Sequence, residues 1–223
     1  MTTPYVSIAD VKTARRKSEN RRYRGASLAQ RRVERRQRLV QAGIDTFGAR
    51  GYHGVTVREV CAAAGLTERY FYESFRDREQ LFSAVYEHLN AQLQQRIAAA
   101  VSGAAGDPEQ VARRGLRAYF EQTRSDPKGA RIMLIEVFGV SADMDRLSRR
   151  TAIGFVDMVR QVVAPQMVAA RRRKLELDAD LLATGLVGGV IFSAMRWVLS
   201  GYAQPIDAVV DNAAAIFTSL LRA

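Results

Sequence analysis

The side chains best placed to do chemistry in this chain are hydrogen-bond donors and cations, gathered in Thr56-Val-Arg-Glu-Val-Cys-Ala-Ala-Ala-Gly-Leu-Thr-Glu-Arg-Tyr-Phe-Tyr-Glu-Ser-Phe75. Thr56 and Glu59 form a capping box, because hydroxyl and carboxylate can each satisfy one orphan backbone N–H at a helix start. Val57, Val60, Cys61 and Ala64 follow at helical spacing, and Gly65 offers the positive φ that a helix C-terminus commonly needs. Thr67 can cap a second helix whose Phe71 and Phe75 face inward and whose Glu68, Arg69, Tyr70 and Ser74 are left for the outside. Two helices joined by a short turn make a helix-turn-helix, whose second helix enters a major groove. This is chemistry for gripping a polyanion.

Bond-making chemistry has no candidate residues. His53 and His88 are the only histidines and lack a Cys or His at ligand spacing, so no metal is expected. The single cysteine, Cys61, lies on an apolar helix face and reads as core; it also excludes an intrachain disulfide. There is no Gly-rich phosphate loop and no nucleophile elbow. No enzyme and no cofactor are expected.

The elements that must hold the gripping residues come next. The 223 residues suffice for one compact unit plus a small module. The formal charge of +11 is lopsided: Met1 to Arg76 carries 16 Lys+Arg against 7 Asp+Glu, whereas Asp77 to Ala223 carries 18 against 16. Such an excess points to nucleic acid or an anionic surface as partner of the N-terminal part. Residues 1–27 hold many cations, Arg15, Arg16, Arg21 and Arg22 among them, with few apolar residues, and are expected to be a flexible arm. DNA contact through a neighbouring minor groove suits it better than a membrane, since residues 10–31 lack a bulky apolar face.

A first helix is predicted over 28–49, with Ser27 and Gln30 as a second capping box and Val33, Val40, Ile44 and Phe47 on one face. Asp77 caps a long connecting helix to Ser102. Further helices are predicted over 108–125, 128–140, 142–170 with a kink at Pro165, 178–201 and 205–222, about nine in all and no strands. The architecture expected is all-α, with a helix-turn-helix domain over 28–79 and a C-terminal bundle over 80–223. The longest charge-free apolar stretch, Leu181 to Met195, is shorter than the about 20 residues that span a bilayer, and Arg196 follows it. A cytoplasmic protein without a membrane partner is expected.

The order of a basic first helix, Phe47-Gly-Ala-Arg-Gly-Tyr-His-Gly-Val-Thr-Val-Arg-Glu-Val60, Ala64-Gly-Leu-Thr67 and Phe71-Tyr-Glu-Ser-Phe-Arg-Asp-Arg-Glu-Gln-Leu81 resembles the tetracycline-repressor-like (TetR) family of bacterial transcription regulators. The resemblance covers roughly residues 33 to 89. It implies that Thr56, Tyr72 and Arg78 hold DNA phosphates, which suits a hydroxyl at a helix start, a phenol and a guanidinium. Thr67 joins them as the cap of the reading helix. Many relatives have Gly then Thr or Ser where this chain has Arg69 then Tyr70, so base contacts are expected to differ, with Arg69 pairing bidentately with guanine and Tyr70 packing on a thymine methyl or holding phosphate.

The resemblance also implies that the bundle binds a small effector. Phe120, Met133, Phe155, Met158 and Trp197 are candidate walls, with Glu136 and Arg196 as polar groups. For either charge taken singly, a surface position or an ion pair is the stronger reading. Gly185, Gly189, Phe192, Ala213, Phe217 and Leu220 lie on the two helices that resemble the family's dimer seam; burial of that stripe within the monomer competes. A dimer would set two reading heads about 34–36 Å apart, or a multiple, on a nearly palindromic operator. The function expected is a sequence-specific DNA-binding regulator, a homodimeric repressor released by a small, largely apolar effector. An architectural DNA binder without effector and a small-molecule enzyme or carrier on a helical bundle stand as alternatives.

Overall fold

The computed structural model describes residues 8–103, 107–164 and 178–222, with side chains from Ser27 to Thr218 except that of Val163. The described residues form nine α-helices and one π-helical turn, without strands. Helix α1 spans Ile8–Arg50. It does not begin at Leu28 as predicted. Ser27 lies inside the helix, its carbonyl and hydroxyl accepting from Arg31 rather than capping a start. The basic segment is rich in Arg, Lys, Glu and Ala, which are good helix formers, and propagation from a nucleated helix needs no core of its own. Its apolar face is also shorter than predicted, since Leu28 and Val33 are exposed while Leu39, Val40, Ile44 and Phe47 are buried. The side chains of Arg15, Arg16, Arg21 and Arg22, and Pro165 with its kink, lie outside the described residues.

Helices α2 (Val57–Ala64) and α3 (Glu68–Tyr72) make the helix-turn-helix. The capping box at Thr56 is formed in both directions. Gly65 adopts φ 60° and ψ 40°, the left-handed conformation that ends α2. Phe71 and Phe75 point inward as predicted, with Phe47, Val55, Val60, Leu81 and Phe82 around them. Phe47 and Phe82 meet edge to face with centroids 5.2 Å apart, an arrangement favoured by the ring quadrupoles. Helix α4 (Arg78–Val101), capped by Asp77, leaves this head and enters the bundle.

The bundle comprises α4, α5 (Pro108–Ser125), α6 (Pro127–Arg131), α7 (Ala142–Val163), α8 (Ala179–Leu199) and α9 (Ile206–Arg222). The helix predicted over 128–140 is broken: α6 passes at Ile132–Glu136 into a π-helical turn, and the chain reverses at Gly139 with φ 78°. A π turn shifts the side-chain register and occurs most often at functional positions. Here it sends Ile132 into the head's core and Leu134 into the bundle's core. Met133 packs against both.

Helix α8, at 21 residues, is long and apolar enough by composition to cross a membrane, which corrects the expectation that this stretch falls short. Ala183, Leu186, Val187, Ala194 and Trp197 are buried against the rest of the bundle, and Leu181, Phe192 and Leu199 are exposed. Helix α9 packs on α5, flanked by ion pairs Arg113–Asp211 and Arg117–Asp207.

Candidate nucleic-acid interface and ligand cavity

The reading surface is built by arginines that α1 turns toward the helix-turn-helix. Arg32 Nη2 donates to the carbonyl of Glu73 at 2.8 Å, and Arg38 Nη2 to that of Ala64 at 2.6 Å. Each caps the orphan carbonyls at a helix end. The Arg35 guanidinium lies 4.4 Å from the Tyr70 ring centroid and that of Arg36 lies 4.8 Å from Phe75. Part of the basic charge therefore fixes the orientation of α3. The sequence pattern showed that charge but not that it points inward.

On α3 the Arg69 side chain is 85% exposed, tethered only by a 3.5 Å pair with Glu73, so it is free to swing into a groove. Tyr72 is exposed beside it. Thr67 makes no side-chain capping bond, and its exposed hydroxyl is available to a phosphate. Tyr70 is half-buried beneath Arg35. Thr56 spends its hydroxyl on Glu59, donating to Oε2 at 2.7 Å while accepting from the Glu59 amide. Arg50 bonds the same carboxylate at 2.6 Å. With these bonds from Arg50 and Thr56 in place, the Glu59 carboxyl is pulled down to about 2.

Arg78 differs from its expected position. Its Nη1 donates to the carbonyl of Val55 and its guanidinium stacks 4.3 Å from the Tyr52 ring centroid, so one edge holds the turn between α1 and α2. Ser74, expected outside, has its Oγ buried with no partner. Burial, with Glu68 nearby, raises the Cys61 thiol, so the thiolate is disfavoured and the side chain serves as core.

The bundle encloses a cavity of about 310 Å³, within the range of small-molecule sites. Its walls come from α4, α5, the π turn, α7, α8 and α9, and include Met133, Phe155 and Met158 as expected. Four other expected residues stand elsewhere. Phe120 is fully buried against Trp197, ring centroids 5.8 Å apart, and the indole N–H donates to the Gln204 carbonyl at 2.9 Å. Arg196 is exposed on the far side of α8. Glu136 is an ion pair rather than a wall. Its Oε1 accepts from Arg131 Nε at 2.9 Å and pairs with Nη2 at 2.8 Å, while Oε2 accepts from the Tyr52 amide at 3.0 Å.

That last contact joins the two halves. Arg131 also reaches back to the carbonyl of Ala49 at 3.1 Å, and Gly51, at φ 79°, lies so near the Glu136 carboxylate that a Cβ there would sit 2.6 Å from Oε2. Lys128 adds a 2.6 Å bond to Asp45 on α1. Thus one short segment, Lys128 to Glu136, is bolted to the end of α1 on one side and lines the cavity through Met133 and Leu134 on the other. Nothing in the sequence pattern marked Glu136 as facing Tyr52, since the two lie 84 positions apart.

Several wall residues were missed by sequence reasoning. Tyr86 and Asn90 interrupt the apolar face of α4 one turn apart, and Tyr86 hydrogen-bonds Asn90 and Thr151 of α7. Burial raises the Tyr86 phenol, and those bonds partly offset the rise. Tyr119 is pushed up further by burial, aided by Tyr86, so both phenols stay neutral hydrogen-bonding groups. A polar pair inside an otherwise apolar stripe was the available signal.

Of the expected seam residues, Gly185 and Gly189 have open space above them and Phe192 is 69% exposed. Ala213 and Phe217 are instead buried within the protomer, where Phe217 lines the cavity, because α9 presses that stripe onto α5. The Leu220 side chain lies outside the described residues.

Residues 39–85 match the family model for bacterial regulatory proteins of the tetR family. The N-terminal head carries a DNA-binding domain of the TetR type. Over 203 residues, 87% of this chain and 86% of the relative, it is 26% identical to the HTH-type transcriptional activator FasR of Mycolicibacterium smegmatis. It is likewise 26% identical to the HTH-type transcriptional repressor DhaR of Mycobacterium sp. strain GP1, covering 83% of this chain and 92% of that one. Among solved structures it is similar to FadR from Bacillus subtilis in complex with stearoyl-CoA, with TM-score 0.72 at 14% identity, over 81% of this chain and 96% of that one. The fatty acid degradation regulator FadR from Bacillus halodurans superposes equally, TM-score 0.72 at 18% identity over 84% and 94%. The all-α TetR fold and its helix-turn-helix make this chain a DNA-binding transcriptional regulator.

Proposed function

We propose that this TetR-family chain works as a homodimeric repressor that leaves its operator when an apolar effector fills the bundle cavity. The observation that carries this reading is the π-helical turn, which lines the cavity with Met133 and Leu134 and holds the end of α1 with Glu136. The latch from Glu136 to Tyr52 is closed and Arg69 stands free on the outer face of α3. A ligand pressing on Met133 acts on the packing of the head, and it shifts the operator equilibrium by as much as its affinity differs between the two arrangements.

In this reading Thr67 and Tyr72 hold phosphates, Arg69 reads a guanine, and Arg78 and Thr56 position the turn from which they act. The exposed apolar face of α8, with Leu181, Phe192 and the open Gly185 and Gly189, is the seam with a second copy. An apolar face of this extent on a folded helix calls for a partner surface. FasR is named an activator and DhaR a repressor, so the sign is what the ligand titration below decides.

The test is to select duplexes from a random pool with the purified protein, then follow operator binding by fluorescence anisotropy while adding dodecanoate. A near-palindromic consensus, a dimeric mass and release on ligand addition are expected. Sequence-indifferent binding, or tighter operator binding with ligand, would overturn the repressor reading.

A further inference from the structure

The cavity has two unlike ends. Along α7 the walls run from Ser148 to Val162 and along α4 from Tyr86 to Val101, each about 20 Å at 1.5 Å per residue. Tyr86 bonds Thr151 at one end, and at the other Gly115 of α5 packs beside Val101. The end near Val101 has Ile97, Val111 and Val162 as walls and no charge. The end near Tyr86 opens between the π turn and the start of α7, where Phe138, 55% exposed, and Arg149, also exposed, still line the cavity.

Among the described residues Arg149 is the single charged one in the lining. Its neighbours Arg146 and Arg160 are paired with Asp143 and Asp157. Neither Arg149 nor Arg150 has a carboxylate within ion-pair distance among the described residues. A cation left unpaired at the rim of an apolar slot, whose lining also holds Ser148, Thr151 and Tyr86, is the arrangement that recognises an anionic oxygen attached to a chain.

Resting on the effector reading above, we infer that the ligand is a single-chain anionic amphiphile, its tail buried toward Val101 and its carboxylate or phosphate oxygens held by Arg149 at the mouth. A methylene group takes somewhat less than the about 30 Å³ share of a water molecule, so a cavity near 310 Å³ accepts on the order of ten to twelve carbons. The free acid presents such an anion at the mouth itself, whereas the coenzyme A thioester replaces it with an uncharged carbonyl and carries its phosphates beyond the mouth, so comparing the two locates the anion that Arg149 holds.

The test uses the full-length protein and calorimetric titration with dodecanoate, dodecanoyl-CoA and dodecanol. The wild type should bind at least one of the two anions tenfold or more tighter than the alcohol. Arg149→Ala should remove that preference while leaving dodecanol binding unchanged, which also shows that the cavity is intact; Arg149→Lys should restore part of it. The anion whose affinity falls more identifies the headgroup. Dodecanol binding as tightly as both anions, or an anion preference that survives in Arg149→Ala, overturns the inference and leaves the effector cavity standing. If none of the three binds, the cavity reading falls and takes this inference with it.

Discussion

The head and the bundle are packed to different ends. In the head, Phe47, Phe71, Phe75 and Phe82 are each at most 2% exposed, and the ring trio of Phe47, Tyr52 and Phe82 and the ring pair of Phe71 and Phe75 belong to one buried core. In the bundle, large side chains surround a void, and Leu181, Phe192 and Leu199 face outward. A groove reader must hold a short helix in one orientation, which close packing does. A sensor must have two arrangements of similar energy, which a core built around a cavity permits. On the reading proposed above, the difference places rigidity where sequence is read and softness where a ligand is felt.

The sharpest way to break this contrast is to make equal cuts on both sides. Phe82→Ala should cost about 3–5 kcal/mol in urea unfolding and abolish operator binding, because its ring touches both Phe47 and Tyr52. Phe155→Ala widens a space that already exists and should cost clearly less, with operator binding kept. Equal losses would mean that the bundle is as tightly organised as the head.

A smaller effect separates reading from holding. Arg69→Ala should lose about 1–3 kcal/mol on operator DNA and little on random DNA, measured by anisotropy at one salt concentration. Arg78→Ala should instead lower the melting temperature as well as affinity for all duplexes, since Arg78 binds Val55 and stacks on Tyr52. Loss confined to operator DNA in Arg78→Ala would make it a base reader instead, against both its expected phosphate contact and its hold on the turn.

The contrast also explains what could be read from the chain before its fold was known. The Thr56 capping box, Gly65 and the inward pair Phe71 and Phe75 are local signals, so the boundaries of the helix-turn-helix were legible nearly to the residue. Pro108 and Asp107 fixed the start of α5 just as well. The fate of Glu136 was not legible, because its partner Tyr52 is remote and a π turn leaves no mark in a short apolar run. The cavity walls were half legible. Met133, Phe155 and Met158 are large and lie on the right helices, whereas Phe120 and Trp197 are equally large and turn toward each other. Size alone does not say which side of a helix meets a void. The continuation of α1 back to Ile8 was missed because apolar periodicity, the signal sought, is not what extends a helix already nucleated.

Among gentler changes, Gly115→Ala should stabilise the protein by about 0.5–1 kcal/mol through helix propensity, since a Cβ there meets Val101 at 3.5 Å, ordinary contact. It should also shorten the longest chain accepted, read by titrating acids of graded length. A destabilised protein, or unchanged capacity, would mean that the cavity does not end at Gly115.

The smallest effect concerns acid. The Glu59 carboxyl is held at about 2, below its unfolded value of 4.5, so its contribution is present above the unfolded value and disappears as pH falls from there toward about 2. Glu59→Gln should flatten the stability–pH curve in that window and leave the neutral range nearly unchanged, because the group is solvent-exposed and well screened. A curve identical to that of the wild type would remove Glu59 from the account.

The most direct measurement compares operator affinity with and without dodecanoate in the wild type and in Glu136→Ala, with ligand affinity recorded alongside. If the π turn carries the signal, the wild type loses operator affinity by about 5- to 150-fold on ligand addition. In that case Glu136→Ala binds both partners separately but shows little change when they are combined. An undiminished ligand effect in Glu136→Ala contradicts the claim that the contact from Glu136 to Tyr52 couples sensor to reader.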